Sequence, residues 1–342
     1  MTLRFFEGFE NKEPAGRAGM TWAVGAPQYV AGRSSGSAVR SSGTTAAQMY
    51  VTMDSGTGTL VLSAAVRLDA ITGTSITGLL AFYNAGGNSM ARLDILASTG
   101  QIQIVPNSGT SVVTPYAMSV NEWSRIDLKC AIANTGGWIE AWVNGVKVGE
   151  TLNVDTIANF GDVVTSGRIN LGATNTTRVT MDDVYILDTT GPAPYNNRLG
   201  DIRIETLVPN GPGARVGTQF VPSTGIADNS WQLIDEMSAS DADYVTAPIP
   251  DDWEAFALTD LVATYGKVLA VQPHYRAWKT DSGSAFLKPV LNTYNVGTKF
   301  GTDLGLGTLP QYLAGDIFTE ADAGIPWTIA GINALEMGVQ AK

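Results

Sequence analysis

Apolar and polar residues alternate along most of the chain up to about residue 190. In residues 124–132 (SRIDLKCAI), Ile126, Leu128, Cys130 and Ile132 fall on one side and Arg125, Asp127 and Lys129 on the other. This is the period of two that a half-buried strand requires. Similar runs at 59–68, 77–83, 91–96, 101–105, 138–148 and 168–172 are bounded by Gly, Asn, Ser or Pro and predict short strands joined by tight turns. WIEAWVNGVKVG predicts a hairpin turning on Asn144-Gly145, a dipeptide that tolerates positive φ at both central positions of a type I′ turn. Cys130, on the apolar side of its strand and with no basic neighbour in sequence, reads as a small core hydrophobe.

The pattern breaks in DTTGPAPYNNRLGD, where two prolines, two glycines and adjacent asparagines suit neither strand nor helix. The boundary between two domains, 1–190 and 191–342, is placed there. Beyond it DIRIETLVP, ARVGTQFVP, SWQLIDE, KVLAVQPHYRAW, SAFLKPVLN and INALEMGV predict further strands, and residues 251–262 and 309–314 predict short helices. The expected fold is all-β, a sandwich followed by a second β-sandwich-like domain.

Composition narrows the classes of function. The 342 residues include 38 glycines and are 44% hydrophobic, enough for a sizeable core with many tight turns. A formal net charge of -11 without a cluster of Lys and Arg argues against nucleic acid as a partner. No run approaches the roughly eighteen uninterrupted apolar residues of a spanning helix, so membrane insertion is not expected. The single cysteine rules out an intrachain disulfide. The opening MTLRFFEGFENKE places Glu7 and Glu10 where an export leader would be apolar, so synthesis in a cytoplasm is expected.

Several segments together resemble the concanavalin A-like, laminin-G-type jelly roll. These are Trp123, Arg125 and Ile126 opening a long strand, Trp142 to Gly145 at the hairpin, Asp182 to Asp188 (DDVYILD) as a closing strand, and GRSSGSAVR near the start. The resemblance implies a lectin-like jelly roll over 1–190. Its continuation through LGDIRIETLVPNG to INALEMGVQ resembles bacteriophage virion proteins. That implies location in the virion, with other virion proteins and further copies of the chain as partners and a host-surface glycan as possible ligand. Tail-associated adhesion is the favoured role and capsid decoration the alternative; in either, 191–342 serves docking or oligomerisation.

Three constellations could carry chemistry. Asp182 and Asp183 are adjacent acids, but neighbours on a strand point to opposite faces, so they cannot share a substrate unless a bulge intervenes. Calcium is the open alternative, with Asp182 and Asp183 joined by oxygens from loops such as 83–89 or 153–156. Trp138, Glu140 and Trp142 share one strand face and, with Tyr83, Asn84 and Asn88 in a nearby loop, form a candidate sugar platform of aromatic faces and polar groups. The competing reading puts the tryptophans in the core or at a subunit contact. A polysaccharide hydrolase would need two carboxylates about 5 Å apart, or roughly 6.5–9.5 Å for an inverting enzyme, and neither Glu140 nor Glu205 has a second acid two positions away. His274, the one histidine, lacks a nucleophile motif. No catalytic residue is assigned, and the protein is read as a non-enzyme.

Overall fold

The computed structural model describes residues 3–12, 20–25, 27–34, 36–56, 58–157, 163–173, 177–213, 219–225, 227–293 and 296–342. The chain divides into two units, the first ending at Ile204 and the second covering Glu205–Lys342. Residues 191–204 therefore group with the first unit, and the break falls after the Gly/Pro-rich stretch instead of within it.

In chain order the strands of the first unit are β1 (Leu3–Glu7), β2 (Met20–Val24), β3 (Pro27–Ala31), β4 (Ser37–Ser41), β5 (Gln48–Gly56), β6 (Gly58–Ala70), β7 (Ile76–Tyr83) and β8 (Ser89–Ile95). They continue with β9 (Gln101–Pro106), β10 (Val112–Ala117), β11 (Trp123–Ile132), β12 (Gly137–Val143), β13 (Val146–Val154), β14 (Val164–Asn170) and β15 (Arg178–Leu187). One sheet runs β13-β12-β11-β6-β15-β4-β3, with β1 also on β15; the other runs β10-β9-β8-β7-β14-β5-β2. All ladders are antiparallel. This is a jelly-roll sandwich.

The alternation seen in the sequence fills its core. Ile126, Leu128 and Cys130 of β11, Leu60, Leu62 and Val66 of β6, and Phe82, Leu93, Ile95 and Ile104 of the opposite sheet are all fully buried. At about 1.5–3 kcal/mol per buried large apolar side chain, this interleaving is the dominant stabilising term of the unit. Burial pushes the Cys130 thiol up, away from thiolate chemistry. Asn144 and Gly145 take φ of 48° and 82°, the hairpin geometry their types predict.

The second unit contains an antiparallel sheet ordered Pro209–Pro212, Trp253–Leu258, Leu335–Ala341, Phe286–Thr293, Gly297–Phe300, with Leu304–Gly305 also on Phe286–Thr293, and two short ribbons. Its core gathers Leu258, Leu291, Phe318, Trp327, Ile332 and Leu335. Several elements differ from the sequence reading. Residues 253–258 are a strand and not a helix, because they pair on both sides, with Pro209–Pro212 and Leu335–Ala341, and that pairing outweighs the helical preference of Glu, Ala and Leu. Residues 311–314 likewise pair with His274–Ala277. SWQLIDE falls largely within a 3₁₀ turn at Ala227–Leu233, and the start of INALEMGV completes a short helix, Ile329–Asn333, before the strand begins. DIRIETLVP enters no ladder before Pro209. Residues 214–218 of ARVGTQFVP lie outside the described residues.

Candidate functional site

The two outer faces of the jelly roll are built differently. On the first sheet Ile139, Ala141 and Val143 of β12 go to the core, so Trp138, Glu140 and Trp142 point outward. The tryptophans therefore do not fill the sandwich. They are not an open platform either. The segment from Tyr195 to Ile204 crosses this face as a strap, and the Arg198 guanidinium lies 3.6 Å from the Trp142 ring centroid while pairing with Asp127 at 2.8 Å. Leu199 N donates to the Tyr185 hydroxyl, and Lys129 Nζ donates to Asn197 and sits 5.7 Å from the Trp138 ring centre. Glu140 accepts from Trp142 Nε1 at 2.9 Å and lies 3.6 Å from Lys147, so its carboxylate is committed. Under the strap Asp127 also accepts from Ser63, and Arg125 donates to Ser63 and to the Asp183 carbonyl while stacking on Tyr185. Asp127 and Arg125 are as buried as the core itself, although their positions alternate with it.

Asp182 and Asp183 belong to the same face. The β15–β6 register slips between Asp182 and Tyr185, and Asp183 takes a φ of 51°. This is the bulge that turns both carboxylates to one side, contrary to the alternation expected of a regular strand. Asp182 accepts from the backbone N–H groups of Arg33 (2.8 Å) and Asp183 (2.8 Å); Asp183 accepts from Ile204 N at 2.7 Å and pairs with the Arg33 guanidinium at 3.0 Å. Burial raises both carboxyls above the usual range, and the Arg33 charge and the N–H donors oppose it. A guanidinium and three N–H donors hold these oxygens, and among the described residues no three acidic, His or Cys side chains converge as metal ligands. The pair does not fit calcium. The loops expected to help are occupied elsewhere: residues 83–89 close the β7–β8 hairpin, and Thr156 and Asp155 bond to Ala133 and Ile157. The nearby Glu10 carboxyl is pushed up to about 9 by burial and by repulsion from Asp182, Glu7 and Asp183.

The outer face of the second sheet carries no such strap among the described residues. Arg168 of β14 pairs in register with Tyr50 of β5 and Ala81 of β7. Its guanidinium lies between two rings, 3.9 Å from the Tyr50 centroid and 3.5 Å from that of Tyr83. Tyr83 can lie flat because the residues beneath are small: a Cβ on Gly78 would stand 3.4 Å from its hydroxyl. Gln48 and Thr52 flank Tyr50, and Ser166 flanks Arg168, on the same face. Thr52 and Thr77 are exposed, Gln48, Tyr50, Ser166 and Arg168 half-buried, and Tyr83 buried. Asn84 and Asn88 serve the adjoining turn, where Asn84 Oδ1 accepts from Asn88 N at 2.8 Å.

The six residues proposed as one sugar platform are thus divided, with Trp138, Glu140 and Trp142 on one sheet and Tyr83, Asn84 and Asn88 on or beside the other. Tyr50 and Arg168 were missed. The alternation in QMYVTM and SGRIN could have placed both on an outer face, but not side by side. Of the acids weighed for hydrolysis, Glu140 is committed as above and Glu205 accepts from Val262 N and Ala263 N in the second unit.

No protein-family model matches the sequence, and no curated protein does. Among solved structures, a Trypanosoma rangeli sialidase in complex with 2,3-difluorosialic acid is 16% identical with a TM-score of 0.31, the match covering 38% of this chain and 21% of that one. Domain 4 of the arabinanase AbnA from Geobacillus stearothermophilus, in complex with arabinotriose, is 15% identical with a TM-score of 0.39, covering 54% and 91%. The receptor-binding domain of botulinum neurotoxin C/D mosaic serotype is 12% identical with a TM-score of 0.40, covering 54% and 48%. The chain thus spans about a fifth of that sialidase and half of that toxin domain. Likenesses at this level carry no argument about ligand or reaction, and the fold class rests on the strand pairing described above.

Proposed function

We propose that this chain is a non-catalytic bacteriophage virion component, tail-associated, whose jelly roll adheres to host-surface glycans through the outer face of its second sheet. The observation that carries the adhesive part is the contrast between the faces. One is fastened shut by the strap; the other presents an aromatic–guanidinium stack among Gln48, Thr52 and Ser166, the mixture of ring faces and hydrogen-bonding groups that sugars require. The non-catalytic part is supported by the acids. Asp127, Asp182 and Asp183 are buried and bonded, and Glu140 shares Lys147 with Glu150. The virion assignment is supported by the sequence resemblance that continues past the jelly roll. In this reading the second unit docks the jelly roll to neighbouring subunits, for which exposed Val262, Tyr265 and Leu309 are suited.

The test is immunogold labelling of intact particles with antibody to the full chain, together with adsorption assays. Labelling at the tail and blocked adsorption are expected. Labelling confined to the capsid would replace adhesion with decoration, and release of reducing sugar from host polysaccharide by the purified chain would overturn the non-catalytic reading.

A further inference from the structure

Among the described residues of the jelly roll, guanidinium groups generally meet a carboxylate, carbonyl or other acceptor, and Arg168 is an exception. Arg4 pairs with Asp188, Arg33 with Asp183, Arg67 with Asp69, Arg92 with Asp94 and Arg198 with Asp127, while Arg125 spans Ser63 and the Asp183 carbonyl. Arg168 meets two tyrosine rings and, among the described residues, no acceptor. Its Nε is buried without a hydrogen-bond partner, as is one guanidinium nitrogen each of Arg33, Arg125, Arg178 and Arg198, so what distinguishes Arg168 is that its remaining nitrogens meet no acceptor either. An unpaired buried N–H is costly, and it persists here beside a face where the residue is half-exposed.

We infer that Arg168 is the anchor of a binding site for a carboxylate-bearing sugar. The argument is geometric. Tyr50 and Tyr83, on the strands to either side of β14, bring their ring centroids to 3.9 Å and 3.5 Å from the guanidinium carbon, and with Nε buried the N–H groups left for a ligand are those of Nη1 and Nη2. An edge-on guanidinium offers two parallel N–H groups, the fork that a planar carboxylate fills. The nearest charged pair on this face, Arg92 and Asp94, is internally neutralised, and Asp94 also accepts from Gly78 N at 2.7 Å. That pair therefore neither fills the fork nor competes for its ligand. The net charge of -11 does not forbid an anion, because at physiological salt charges beyond about 8 Å are largely screened. A sugar fits better than a peptide terminus because Gln48, Thr52 and Ser166 ring the fork with hydroxyl and amide groups suited to ring hydroxyls, whereas a peptide would seek a free sheet edge or apolar pockets. The inference rests on the adhesive reading above and specifies its ligand: an acidic polysaccharide, with the charged group at Arg168.

The experiment uses the full chain, ¹⁵N-labelled, with the Arg168 Nε–H signal assigned by its loss in Arg168→Lys. Titration with glucuronate is expected to shift that signal saturably, and titration with glucose to leave it in place. On an oligosaccharide array, uronate-containing glycans are expected to bind about tenfold or more tightly than their methyl esters, a preference lost in Arg168→Lys, which keeps the charge but not the fork. An unmoved signal with array binding indifferent to esterification overturns this inference and leaves neutral-glycan adhesion standing. A shifted signal with no array binding supports the fork and removes the adhesive reading. An unmoved signal with no array binding overturns both. Equal shifts with sulfate or phosphate reduce the site to a general oxyanion cradle and overturn the sugar assignment.

Discussion

The two outer faces of the jelly roll use the same side-chain chemistry for opposite ends. On the first sheet Arg198 stacks on Trp142 and Arg125 on Tyr185, and both guanidinium groups also reach oxygens of the protein. On the second sheet Arg168 stacks on Tyr50 and Tyr83 and reaches none among the described residues. Stacking alone therefore does not identify a binding group. What separates a structural arginine from an available one is whether its N–H edge is already met.

Perturbations should separate the faces by size. The largest effect is expected at Asp127→Ala, which strips the fully buried acid from between Arg125 and Arg198 and leaves uncompensated charge; about 3–5 kcal/mol of stability should be lost in urea denaturation. Trp142→Ala removes the surface on which Arg198 rests. It should cost about 1–2 kcal/mol and speed amide exchange across 195–204 without altering glycan binding, and unchanged exchange there would detach the strap from the tryptophan.

A separate, pH-dependent effect is centred on Glu10, beside Asp182 and Asp183. Because the folded Glu10 carboxyl titrates near 9, above its unfolded range, the folded state holds a proton that the unfolded state releases. Its stability contribution is complete in acid and is lost as pH rises toward 9, so the melting temperature should decline over that window and Glu10→Gln should flatten the decline. The smallest effect is expected at Arg168→Gln. No acceptor is orphaned and a buried N–H is relieved, so stability should change by less than about 1 kcal/mol even where binding is abolished. A loss comparable to that of Asp127→Ala would mean that the second face is as structural as the first.

The sequence made the sandwich legible for a simple reason: alternation reports which side of a strand faces the core, and β11 and β12 obey it. It says nothing of what covers the other side. Arg125 and Asp127 read as solvent-facing and are buried, because the covering residue, Arg198, arrives from 71 positions away. The Asp182–Asp183 bulge was invisible for a related reason, since its register is set by Arg33 and Ile204 rather than by its own residue types. The second sheet's stack depends on β14 lying between β7 and β5, an order that sequence adjacency does not supply. The second unit was less legible still, because residues 253–258 owe their strand form to neighbours on both sides.

The strap has a mechanical consequence. A pull on the chain beyond Ile204 does not act first on β15. It must first break the bonds of Ile204 to Asp183, Leu199 to Tyr185 and Arg198 to Asp127, which are spread across the sheet and share the load. β15 itself is held between β6 and β4, so its release requires tearing two ladders as well. The exit from the jelly roll is thus built as a strain relief, and tension on the second unit is spent on replaceable side-chain bonds before the sandwich begins to unzip.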